Sequence, residues 1–106
     1  MMIYVSHKYG GDLANIERAK KITHDLQVKD LENCYICPLN AFSHIAYNEI
    51  GFEEEMQLCL DLMCVCDALI VASELSTGVR QEIELAKKCN MQIIYLESED
   101  NPNEQC

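Results

Sequence analysis

Glu82 and Glu84 stand two residues apart, and their spacing puts them in opposite situations. Read at helical period, Val79, Ile83 and Ala86 form the stripe that packs on a sheet, and Glu82 falls on that same stripe. Glu84 falls nearly opposite, where Arg80 and Lys88 flank it at i,i+4 spacing as a solvated charge row. An inward-facing carboxylate is costly unless it is partnered or used. Glu82 also sits near a helix start, at the carboxyl end of the preceding strand, where ligands bind in open α/β sheets. The plainer reading of Glu82 is an edge-of-core acid that reaches water or caps a neighbouring loop.

The elements that must position this acid follow from the same stretch. Residues 68–72 are a short apolar run, as a buried strand should be. Residues 73–78 read as a turn, with Ser76 or Thr77 available as N-cap. Residues 79–89 run at helical period, and 92–96 form a second strand. A strand, crossover helix and strand of this length make a βαβ unit with parallel neighbours.

The chain opens the same way. Residues 2–6 read as a strand, followed by the loop His7-Lys8-Tyr9-Gly10-Gly11-Asp12. The glycine pair permits positive φ and close backbone approach. Asp12 or Asn15 can cap the next helix, whose buried stripe is Ile16, Ala19, Ile22 and Leu26. Strand, glycine turn and helix together can cradle a polar or anionic group, although an ordinary tight turn accounts for a lone glycine pair. Residues 34–37 read as a second strand ended by Pro38. The connection 38–51 carries Asn40, Ser43, His44, Tyr47 and Asn48. Its length and content suit a lid or rim containing a short helical turn.

The helix from Phe52 to Cys66 has three acids in its first turn, Glu53, Glu54 and Glu55, which complement the macrodipole. From Met56 to Cys66, nine of eleven residues are apolar. Such a helix should be covered on two sides, so a homodimer or larger assembly packed through it is expected. Asp61 and Gln57, one turn apart, could bond each other, reach the pocket or touch the partner.

Composition bounds the possibilities. The 106 residues make one domain, and 49% apolar content supports a small core. The net charge of −10 disfavours nucleic acid or an anionic membrane as partner. It leaves room for a small nucleoside or nucleotide in one pocket. No stretch is long enough for a transmembrane span, and the first residues lack signal-peptide features, so a cytoplasmic protein is expected. Cys34 and Cys37 would point to opposite faces of a strand, and buried reduced thiols explain the remaining cysteines, so no metal site or cofactor is expected. Residues 97–106 are acidic and unpatterned, a disordered tail by composition.

Alternating strands and helices predict a three-layer α/β/α sandwich with a four-stranded parallel sheet in flavodoxin-like order 2-1-3-4. The switch point then lies between strands one and three. The loops 6–12 and 73–78 meet there, with Glu82 just behind.

Three stretches resemble the nucleoside 2-deoxyribosyltransferase-like superfamily: Ile3-Tyr4-Val5-Ser6-His7-Lys8-Tyr9-Gly10-Gly11, Cys66-Asp67-Ala68-Leu69-Ile70-Val71, and Ser76-Thr77-Gly78-Val79-Arg80-Gln81-Glu82-Ile83-Glu84-Leu85-Ala86. The likeness spans most of residues 2–96 and is closest to small bacterial and phage members. It implies that Glu82 is a nucleophile that attacks the anomeric carbon of a deoxyribosyl group. A covalent glycosyl-enzyme would form, then be released to a second base or to water with retention of configuration. Tyr9 would orient Glu82 or the sugar. Ser6, His7, Gly10, Gly11, His44, Ser73, Ser76 and Gly78 would line the substrate site. Two positions depart from the family's pattern. The usual glycine of the first loop is Ser6. An ungapped count also puts Cys59 where the characterised enzymes carry the Asp that handles the base. Asp61, the remaining acid candidate, lies two residues on, about 200° round the helix, and cannot be a simple substitute. The alternatives to catalysis are a nucleotide-binding module using the same pocket, or an interaction protein that docks another chain on its apolar helix.

Overall fold

A computed structural model describes residues 1–96, and residues 97–106, read above as a disordered tail, lie outside the described residues. The element order is β1 (Met2–Ser6), α1 (Leu13–Lys29), β2 (Cys34–Ile36), α2 (Pro38–Ala41), α3 (Phe52–Met63), β3 (Ala68–Val71), α4 (Thr77–Lys88) and β4 (Gln92–Tyr95). The four strands form one parallel sheet in the order β2-β1-β3-β4, as the alternation predicted. Among the described residues no helix is long and apolar enough to cross a membrane.

Strand alternation sorts the core into two layers. Tyr4, Leu69 and Val71 pack with Met63 of α3 and with Val79, Ile83 and Ala86 of α4. Ile3, Val5, Ala68 and Ile70 face the other way, toward Ala19 and Leu26 of α1 and Leu39 of α2. The register sets Tyr4 beside Leu69 and Ser6 beside Val71. One face of the sheet thus presents Tyr4 and Ser6 to α3 and α4.

Several boundaries differ from the periodicity reading. Strands β3 and β4 each end one residue early, yet Ala72 and Leu96 still donate to the neighbouring strand at 2.8 and 2.9 Å. Helix α3 ends at Met63, three residues short of Cys66. Cys64 is its C-cap, and the chain turns there to enter β3. Helix α4 starts two residues earlier than expected, because Ser76 caps it by accepting from the Val79 N–H at 3.2 Å. Glu82 therefore lies in the second turn rather than the first. Asp12 caps α1, accepting from the Ala14 N–H at 2.9 Å. Asn15 is instead a buried residue whose amide donates to the Tyr9 carbonyl at 2.9 Å.

The β1–α1 turn depends on its glycines. Gly10 and Gly11 have φ of +61° and +81°, and a Cβ on Gly11 would lie 2.7 Å from the Tyr47 ring. Gly11→Ala is expected to lower stability by about 1–2 kcal/mol through the left-handed backbone alone. Displacing Tyr47 adds to that. Nothing lies within 4 Å of a Cβ on Gly10, so Gly10→Ala should incur the backbone cost only. Thermal melts of the two variants should rank Gly11→Ala below Gly10→Ala by several degrees.

Candidate functional site

Glu82 is 4% exposed, and its stripe neighbours Val79, Ile83 and Ala86 are buried against the sheet with it. Glu84 is exposed on the far side. The Glu82 carboxylate is held by two hydroxyls from β1. Ser6 Oγ donates to Oε1 at 2.5 Å, and the Tyr4 phenol donates to Oε2. No basic side chain is bonded to it among the described residues. Burial raises its pKa above the ordinary carboxyl value, while the Ser6 and Tyr4 hydrogen bonds pull it back. Burial first, and the Glu82 charge second, push the Tyr4 phenol far above its ordinary value, so it remains a donor.

Beside Glu82 opens a cavity of about 330 Å³, within the usual range for small-molecule sites. Its walls come from five places, one of them Pro38 and Leu39 of α2. The β1–α1 loop supplies His7, Tyr9 and Gly10, and the α2–α3 connection supplies Tyr47 and Asn48. Helix α3 supplies Glu55, Met56 and Cys59, and the start of α4 supplies Ser76, Thr77 and Gly78. A broader, more open groove of about 680 Å³ runs over the outer row of α4 and holds Glu84 but not Glu82. The inward acid, not the outer one, borders the more enclosed of the two spaces.

His7 is 5% exposed. Its Nδ1–H donates to the Lys8 carbonyl at 2.7 Å, and its Nε2 is buried without a hydrogen-bond partner. Burial holds its pKa below the usual 6.5, so the ring is neutral with its proton on Nδ1. Tyr9 and Tyr47 meet edge to face, with ring centroids 5.3 Å apart. They close the loop side of the cavity. The Cys59 thiol interacts with the Tyr4 phenol and is pushed up to about 12 by burial and then by the Glu82 charge. It stays a thiol at neutral pH.

The structure gathers most of the residues expected from the sequence and sets four apart, Gly11, Asp61, His44 and Ser73. His7, Tyr9, Gly10, Ser76, Gly78 and Glu82 line the cavity, and Ser6 bonds Glu82 from beneath. Gly11 lies behind Tyr47. Asp61 does not reach the cavity; it is exposed and accepts from Gln57 Nε2 at 2.8 Å. His44 is exposed, with its ring 6.4 Å from that of Phe42. Ser73 is a bracket between loops, accepting from the Lys8 N–H and donating to the Glu74 carbonyl, each at 2.9 Å. The tyrosine bonded to Glu82 is Tyr4, while Tyr9 lines the cavity, where the sugar was expected. A signal for it was present: a Tyr and a Ser at i,i+2 in a strand interior must both find partners. Glu55 was also missed, because it reads as one of three acids at a helix start.

Among the described residues, no group of three or more His, Cys, Asp or Glu side chains could hold a metal ion. The sequence model of one family, described as a domain of unknown function (DUF7768), matches residues 1–96. No curated protein and no solved structure matches the chain.

Proposed function

The chain belongs to the DUF7768 family, and within it we propose that the cavity cleaves or transfers at the N-glycosidic bond of a (deoxy)nucleoside or nucleotide through a covalent glycosyl-Glu82 intermediate. One observation carries this reading: a buried carboxylate borders a partly enclosed cavity, held by two hydroxyls and, among the described residues, by no cation. An acid parked for structure alone needs no space beside it. The likeness of three sequence stretches to nucleoside 2-deoxyribosyltransferase-like proteins supplies the chemistry.

In this reading one Glu82 oxygen attacks the anomeric carbon as the C–N bond breaks, and the bonding electrons leave with the base. Tyr4 and Ser6 favour the ionised carboxylate against the effect of burial and aim it while the bond is made. Water or a second base then displaces Glu82, and two inversions retain configuration. Tyr9 and Tyr47 provide aromatic faces for a planar base. The test is base release from deoxynucleosides, ribonucleosides and their monophosphates, with the product anomer read by NMR. Release with retention supports the reading, and inversion removes the covalent intermediate. Glu84→Gln, on the outer face, should act like wild type.

A second reading is a nucleotide-binding module that does not turn its ligand over. It is favoured by Cys59, a thiol where the enzymes this chain resembles carry a base-handling acid. Thermal stabilisation by a ligand recovered intact would select it. We also propose that two copies pair through α3, where Phe52 and nearby Val65 are 56% and 64% exposed. Sedimentation at micromolar concentration should give the dimer mass, and a monomer would refute the pairing.

A further inference from the structure

We propose that Glu55 makes the cavity select an uncharged nucleoside and reject the same nucleoside carrying a 5′-phosphate. This rests on the glycosidic reading above and narrows its substrate class. Glu55 lies one helical turn before Cys59 on α3, and both line the cavity with Glu82. The Cys59 thiol feels both carboxylates, so the two acids act on one small space. Among the described residues lining that space, Glu55 and Glu82 are the only Asp, Glu, Lys or Arg side chains.

Among the described residues no cation lines the cavity to offset them, and Arg18 and Lys8 reach His7 only from outside it. His7 is neutral, its Nδ1–H committed to the Lys8 carbonyl. Lys8 is paired with Glu74, and Arg18 donates to Asn15 Oδ1 at 3.2 Å; neither lines the cavity. The start of α4 offers about half a positive charge, which Glu82 answers from the helix's own second turn. A phosphate dianion entering here meets like charge in a partly enclosed space, where charges are screened less than in bulk water. A neutral sugar hydroxyl can instead donate to a carboxylate oxygen.

The experiment compares kcat/KM for a deoxynucleoside and its 5′-monophosphate, with thermal shift by each as a second readout. Wild type is expected to favour the nucleoside by at least about tenfold, and Glu55→Gln to shrink that ratio severalfold. Glu53→Gln, an exposed acid of the same turn, should leave the ratio unchanged. A monophosphate used equally well or better overturns the inference and leaves the glycosidic reading standing. A preference that survives Glu55→Gln intact overturns the role of Glu55. If neither compound is cleaved, the glycosidic reading fails. The charge filter then stands only if the nucleoside stabilises the fold and the monophosphate does not, and it falls on any other pattern of shifts.

Discussion

Glu82→Gln is expected to lower base release by about 10³-fold or more while the protein stays folded. The amide keeps the shape of the side chain and an oxygen for one of the β1 hydroxyls, but it is a poor nucleophile. Stability should move in an informative direction. Burial raises the Glu82 pKa above its ordinary 4.5, so the folded chain holds that proton more tightly than the unfolded chain. The resulting stabilisation is complete below the ordinary value and is lost as pH rises through the folded one. Gln does not titrate. Wild type should therefore lose stability relative to Glu82→Gln as pH rises from the ordinary carboxyl value through the raised folded one. Urea melts across that range read the difference directly. A gap that does not change with pH would mean the acid is not strained by burial. A variant with wild-type activity would end the case for Glu82 as nucleophile.

Tyr4→Phe should have the next largest effect. The Phe ring fills the same core space, but the donor to Glu82 Oε2 disappears. A buried carboxylate oxygen left without its donor costs about 1–3 kcal/mol. The hydrogen bond favours the charged form, so its loss raises the Glu82 pKa further. The acid limb of the kcat/KM profile should then move to higher pH, and activity should fall by roughly ten- to a hundredfold below that limb. Raising the pH should restore part of the loss. Tyr9→Phe is the comparison, because the Tyr9 phenol is not bonded to Glu82 among the described residues. It should leave the limb in place. Identical shifts in the two variants would refute Tyr4 as the group that holds Glu82 ionised.

Both experiments turn on a contact that only part of the sequence could announce. Glu82 was legible because helical spacing alone separates it from Glu84. The sheet order was legible because short apolar strands alternating with single-stripe helices have few parallel arrangements. Of the roles open to Asp61, the structure shows the bond to Gln57 one turn away and not a place in the cavity, because the side chain faces solvent. His44 drew notice by residue type alone. Cys59 was located by counting, but its place against Tyr4 is a matter of how α3 lies on the sheet.

Periodicity says which way a side chain points from its own element, because that direction follows from the local backbone. On that basis the parallel sheet and the inward stripe position of Glu82 were legible in the sequence, and the glycine pair marked where a left-handed turn was permitted. It could not say which groups from other elements lie at the same depth. The donors to Glu82 come from 76 and 78 residues away. Their meeting depends on how Val79, Ile83 and Ala86 seat α4 on Leu69 and Val71. The cavity wall likewise depends on where α3 comes to rest. These are packing outcomes summed over many side chains, and only the tertiary structure decided them.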